Sequence, residues 1–223
     1  SSDLSKGSIY GHLKKDKNNN INGVLKIENL SLKTENIISS DNKAEFIFNG
    51  NDININALIH TSEKDNAQIT GRFGFGKKHY FDLNTNAKNI NLENLLKITF
   101  ATTKILNIKN PLKDLNAEGL LNASFNIKSD FKKLESKGNA EIINALFKYK
   151  KMQYPISNIN ANINLDDNEI KIEKAQACIN KNSINIEGSI KNDLTADLQV
   201  FSKNMDLKTF IATFMDKKDL LYE

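Results

Sequence analysis

Apolar residues occupy every second position through long stretches of the chain, and the gaps between them are filled mainly by Asn and Lys. Leu115, Ala117, Gly119, Leu121, Ala123, Phe125 and Ile127 alternate without a break. A period of two is that of a strand with one face buried, so this stretch predicts a long half-buried strand. Gly138, Ala140 and Ile142 continue the pattern. Phe147 and Tyr149 follow, then a Lys-Lys turn, then Met152, Tyr154 and Ile156, with Pro155 suited to a strand end. Ile159, Ala161, Ile163 and Leu165 share one face ahead of the polar turn Asp166-Asp167-Asn168-Glu169. Ile170 and Ile172 resume it, and the phase slips by one residue at Glu173-Lys174 before Ala175, Ala177 and Ile179, which predicts a β-bulge. A turn over 180–183 leads to Ile184, Ile186 and Ile190, and Leu194, Ala196, Leu198 and Val200 add a further strand. Turns this short predict antiparallel neighbours.

The period then changes. Leu207, Phe210, Ile211 and Phe214 stand at helical spacing, with Asp206 at the N-cap position. The first half contains the same change, where Asn91 precedes Leu92, Leu95 and Leu96, and Pro111 closes the segment. Asn49-Gly50, between Phe46/Phe48 and Ile53/Ile55, predicts a hairpin turn. Three landmarks recur at an offset of roughly 115 residues: Gly23 with Gly138, Gly71 with Gly188, and Leu92 with Leu207. The chain therefore reads as two β-meander-plus-helix repeats, 1–110 and 111–223, with a junction between Asn107 and Asp114.

Composition adds little to that pattern. The net charge of +4 rests almost wholly on Lys, with Arg72 the only arginine and no Trp. Arg forks and clustered aromatics, which nucleic-acid sites favour, are missing, so nucleic acid is not an expected partner. Cys178 is alone, which excludes an intrachain disulfide and a cysteine metal site. No run of about 18 apolar residues is present to span a membrane as a helix. The first residues carry no apolar signal segment, leaving a cytoplasmic protein and an ectodomain both open.

Candidate chemistry is sparse. Asp166, Asp167 and Glu169 lack the ligand number and glycine of a calcium loop and read as a solvated turn. His12, His60 and His79 lie in separate segments without paired spacing. The closely spaced glycines of Gly71 to Lys78 sit on strand-like alternation, not ahead of a helix, so they do not read as a phosphate loop. No G-x-S-x-G elbow occurs, and neither enzyme activity nor a cofactor is expected. Lysines near Lys14, Lys77 and Lys150 suit either anionic lipid headgroups or a solvated, edge-protecting face.

A glycine-led strand (GNAEIINALFKYK), a meander (YPISNINANINLDDNEIKIEKAQACINKNSINIEGSIKN) and a strand leading into NMDLKTFI together resemble the AsmA-like, TamB-related family of Gram-negative periplasmic proteins. The likeness is strongest over Gly138 to Phe214 and weaker over Ile21 to Leu96. It implies an internal or truncated periplasmic piece of a protein held in the inner membrane by an anchor helix that this sequence lacks.

The alternating faces on their own read as the sealed core of a β-sandwich. The resemblance implies instead an elongated, strongly curved antiparallel sheet with a half-open apolar groove, each repeat closed by a short helix. That groove would take phospholipid or another acyl lipid for transport between inner and outer membrane. The groove face is expected to comprise Phe46, Phe48, Ile53, Ile55, Leu121, Phe125, Ile159, Ile163, Leu165, Ile170, Ile172, Ile184 and Ile186. A second implication is a TamB-like assembly factor, whose sheet edge pairs with nascent outer-membrane strands.

Overall fold

The computed structural model describes residues 4–33, 38–62, 64–76, 79–105, 112–150, 152–167, 169–191, 195–205 and 207–214. Six strands come first: β1 (Leu4–Lys15), β2 (Ile21–Lys33), β3 (Ile38–Gly50), β4 (Asp52–Ile59), β5 (Asn66–Phe75) and β6 (His79–Asn91). Helix α1 (Leu92–Ile105) follows them. Six more strands are β7 (Leu115–Ser129), β8 (Leu134–Tyr149), β9 (Ile156–Asp166), β10 (Glu169–Ile179), β11 (Asn182–Lys191) and β12 (Ala196–Phe201), and α2 (Leu207–Phe214) comes last. The strands lie in chain order, β1 to β12, in one antiparallel sheet that does not close into a barrel. Strand makes up most of the described residues, and only two short helices accompany it there.

The turn chemistry explains the meander. Asn49 pairs with Asp52, which leaves Gly50 and Asn51 as the β3–β4 loop, one residue later than the Asn49-Gly50 turn expected from sequence. Gly50 takes the left-handed position at φ +65°, where a side chain is unfavourable. Between β10 and β11, Ile179 pairs with Asn182, and Asn180 and Lys181 carry φ of +46° and +68°, the pattern of a type I′ turn. The register of β10 against both neighbours shifts between Ile172 and Ala175, so the bulge lies where the apolar phase slips. Asn91 caps α1 by accepting the Asn94 N–H on its Oδ1 at 3.0 Å. The expected cap of α2, Asp206, and most of the expected junction, including Pro111, lie outside the described residues.

The chain forms two compact units. Unit 1 comprises Ser1–Ile90 with Asn122–Asn139, and unit 2 comprises Asn91–Leu121 with Ala140–Glu223. Helix α1, which closes the first six strands in the sequence, therefore lies in unit 2.

Unit 2 has a sealed core. Leu92 of α1 joins Ala117, Ala145, Ile159, Ala161, Ala175, Ala177, Ile179 and Ile184, with Leu96, Leu121, Tyr154 and Met205 packed against them. The alanines keep this part of the sheet low enough for other side chains to close over it. Unit 1 is built differently. Among its described residues the buried apolar side chains are Ile90 and Ala123, and the other described Leu, Ile and Phe side chains of β2 to β6 stay half-buried or exposed.

Candidate functional site

In unit 1 the register aligns side chains in rows across the strands. One row runs Gly11, Leu25, Phe46, Ile55, Gly71, Leu83 over β1 to β6. The next runs Leu13, Gly23, Phe48, Ile53, Phe73, Phe81, and a third runs Ile9, Ile27, Ala44, Ala57, Ile69, Thr85. Alternate rows are more polar, as in Lys26, Glu45, Asn56, Thr70, Asn84, although Val24 and Ile47 pair on the same face. Because side chains alternate along a strand, the first set shares one face of the sheet and the second set the other. On the polar face, Lys26 Nζ lies 2.8 Å from Glu45 Oε1.

Both helices belong to unit 2, so among the described residues of unit 1 no helix covers its apolar rows. Six strands at a spacing of about 4.8 Å make each row about 24 Å long. One leaflet of a bilayer is about 15 Å of hydrocarbon, half of a ~30 Å core. A row is thus long enough for one acyl chain laid across the strands. Phe73 and Phe81 end the second row as a stacked pair, with centroids 6.2 Å apart and planes at 14°. Phe131, in the β7–β8 connection, stands edge-on to Phe73, His79 and Phe81 at 6.1, 6.3 and 5.8 Å.

The expected groove residues fall into separate groups. Phe46 and Ile55 pair directly, as do Phe48 and Ile53, and all four are half-buried on the apolar face of unit 1. In unit 2, Leu165 pairs with Ile170 and Ile163 with Ile172, while Ile186 pairs with Ala175 one row further along. Ile170 is exposed there, and Leu165 is half-buried.

Ile159 and Ile184 were expected on the groove face, but they are 7% and 1% exposed. They belong to the core that Leu92 closes, and their apolar surface is already spent on the protein's own packing. Leu121, Ile163, Ile172 and Ile186 also pack against that core. Phe125 lies in unit 1 apart from the Phe46 rows, lining a shallow depression of about 510 Å³ with Gln68, Thr70, Asn84, Asn126 and Lys137.

Phe73, Phe81, Leu25 and Leu83 were not singled out from sequence. For Phe73, Phe81 and Leu83 the signal was the plain alternation of GRFGFG and HYFDL, and for Leu25 that of GVLKI.

The other candidate chemistry has structural roles. The His60 backbone N–H donates to Asn42 Oδ1 at 2.8 Å, and Asn42 Nδ2 donates to the Leu30 carbonyl at 2.6 Å, tying β2, β3 and β4 together at one end. Asp65, 1% exposed, accepts the N–H groups of Thr61 and Ser62 at 2.7 and 3.0 Å and also the Thr61 hydroxyl, which closes the β4–β5 turn. Asp166 and Glu169 are the paired residues that close the β9–β10 hairpin. Among the described residues no group of three or more His, Cys, Asp or Glu is placed to hold a metal ion, and no helix is long and apolar enough to cross a membrane. No family model, curated protein or solved structure matches the chain.

Proposed function

We propose that this chain is a non-enzymatic lipid-handling protein that takes an acyl chain on the apolar face of unit 1. The carrying observation is the three rows, mostly Leu, Ile and Phe, across six strands in a unit that has no helix among its described residues. Burying an acyl chain recovers about 0.8 kcal/mol per methylene, or about 12 kcal/mol for sixteen carbons. A face that covers about half of the chain recovers about 6 kcal/mol before ordering costs. That is enough for capture and leaves lateral movement easy.

On this reading the chain is an AsmA-like, TamB-related segment of the periplasm, carried by a protein attached to the inner membrane. It passes phospholipid between the two membranes along a curved, half-open sheet made of two repeats. The glycine pair Gly71 and Gly188 supports the duplication. An added Cβ would lie 2.1 Å from the Asp82 carbonyl oxygen in one case and 2.1 Å from that of Asp197 in the other. The paired residues also correspond, Gly71 with Leu83 and Gly188 with Leu198.

The test is mass spectrometry of an organic extract of the purified chain, with Ile55→Asp and Ile184→Asp beside it. The parent should carry lipid. Ile55→Asp should fold and lose it, because the new carboxylate stays hydrated in the empty state and opposes an acyl chain in the bound one. Ile184→Asp should fail to fold. A lipid-free parent, or an Ile55→Asp chain that keeps its lipid, sinks the reading.

One observation favours a second reading, strand addition by a TamB-like assembly factor. Strand β12 lies at the edge of the sheet with Leu198, Val200 and Phe201 exposed and Asp197 its single charge. An edge so lightly protected is a template for another strand. Co-purification of barrel precursor in place of lipid distinguishes the two.

A further inference from the structure

Three described chain reversals of unit 1, together with the end of β5 and the start of β6, lie side by side at one end of its strands. The β1–β2 turn is closed by Lys15 paired with Ile21, and Ile21 in turn pairs with Gly50 of the β3–β4 turn. The Phe75 N–H donates to the Asn51 carbonyl at 2.9 Å, which joins the β3–β4 turn to the end of β5. Phe131 of the β7–β8 connection reaches His79 and Phe81 at the start of β6.

The β7–β8 connection is rigidly built around an exposed ring. Asp130 Oδ1 accepts the N–H groups of Lys132 and Lys133 at 3.0 and 2.9 Å. Ser129 Oγ accepts the Phe131 N–H at 3.0 Å and donates to the Lys133 carbonyl at 2.8 Å. This network holds Phe131 at φ +65°, a left-handed conformation unfavourable for an aromatic residue. The ring nonetheless remains 59% exposed, and Leu134 beside it is 60% exposed. Lys15, Lys17, Lys132 and Lys133 are exposed at the same end. Of the acids at this end, Asp16 and Asp130 accept backbone N–H groups of their own turns, Asp52 accepts the Tyr80 hydroxyl at 2.9 Å, and Glu135 lies 2.9 Å from Lys133 Nζ.

Exposed apolar side chains rimmed by lysines are the complement of a bilayer interface: rings and aliphatic groups enter the headgroup boundary, and ammonium groups meet anionic phosphates. We propose that this row of turns docks unit 1 onto an anionic bilayer surface, with Phe131 and Leu134 entering the interface and the four lysines on the headgroups. The docking is separate from acyl capture on the sheet face, and each stands without the other.

The experiment is flotation of the full chain with vesicles of phosphatidylcholine alone and of phosphatidylcholine with phosphatidylglycerol, at low and high salt. The parent should bind the anionic vesicles, bind the neutral ones far less, and release as salt screens the lysines. Phe131→Asn keeps a residue that tolerates the left-handed backbone and should weaken binding by about ten-fold or more. Lys17→Glu and Lys132→Glu should each weaken it by more than about five-fold. Lipid recovered in the organic extract should be the same for Lys17→Glu and Lys132→Glu as for the parent, which separates this proposal from the capture reading. No binding to either vesicle, equal binding to both, or variants that bind like the parent would overturn it, and a parent that floats only with an added protein partner would reassign the surface to that partner.

Discussion

Phe131 meets the ring of Phe81 edge-on, with centroids 5.8 Å apart and planes at 84°. The contact is made by a residue in a left-handed backbone conformation, so a favourable and an unfavourable contribution coincide at one position. Edge-on aromatic pairs contribute about 0.5–1.5 kcal/mol each, at the low end when exposed. The left-handed conformation costs about 1–2 kcal/mol for an ordinary residue and less for Asn. Phe131→Asn should therefore change unfolding stability by no more than about 1 kcal/mol. A denaturant melt that shows a loss of several kcal/mol would mean that the ring is part of the core.

The two units should respond differently to the same truncation. Ile184→Ala opens a cavity in a closed cluster and should cost about 2–5 kcal/mol. Ile55→Ala removes a half-buried side chain from a face that water already reaches, and about 1 kcal/mol is expected. Equal losses in paired melts would mean that the face of unit 1 is as closed as that of unit 2.

Gly188 has no room for a side chain. Its φ is +132°, and an added Cβ would lie 2.1 Å from the Asp197 carbonyl oxygen of β12. Gly188→Ala should cost about 3 kcal/mol or more and loosen β12 from β11. Gly50→Ala is the comparison. Its nearest neighbour would be 3.9 Å away, so the cost is that of the left-handed turn alone, about 1 kcal/mol. Amide exchange along β12 reads the first effect directly. If β12 stays protected in Gly188→Ala, the close approach is not what holds the edge.

Acid should loosen the turns from one direction only. The N–H groups of Lys133 and then Lys132 hold the Asp130 carboxyl below the ordinary carboxylate range, and Asn20, by its side chain and then its N–H, does the same for Asp16. A carboxylate whose pKa is depressed in the folded state stabilises above its unfolded value of about 3.9 and loses that contribution as pH falls through the folded value. The Lys132 and Lys133 amides should thus be protected at neutral pH and begin to exchange faster only below about pH 4. The same amides in Asp130→Asn should show no such step. Acid-independent exchange in the parent would exclude the carboxylate as the organiser of the turn.

Much of the sheet was legible because strand pairing writes itself into a period of two. The bulge at Glu173-Lys174, the hairpins after Asp166 and Ile179 and the helix starting at Leu92 all left local marks. What covers each face left no comparable mark. Alternation says that a face is apolar, and Ile55 and Ile184 read alike by that measure. The distinguishing signal was side-chain size. Ala117, Ala145, Ala161, Ala175 and Ala177 pave the closed cluster of unit 2, whereas the rows of unit 1 carry mostly Leu, Ile and Phe, with small residues at scattered positions. Small residues let a second layer approach, and large ones fill the space it would occupy. The destination of α1 depends on contacts far along the chain, which no local window contains.

Every strand in this sheet is hydrogen-bonded to its neighbours in sequence, with no crossover. Such an arrangement makes length a free variable. Excising two successive strands would bring the flanking ones together in the same relative direction and with the same face upward. Loss of an odd number would reverse one half of the chain against the other. Natural versions of this chain should therefore lengthen and shorten by whole hairpins, and an engineered deletion spanning both β3 and β4 should be tolerated better than deletion of β3 alone.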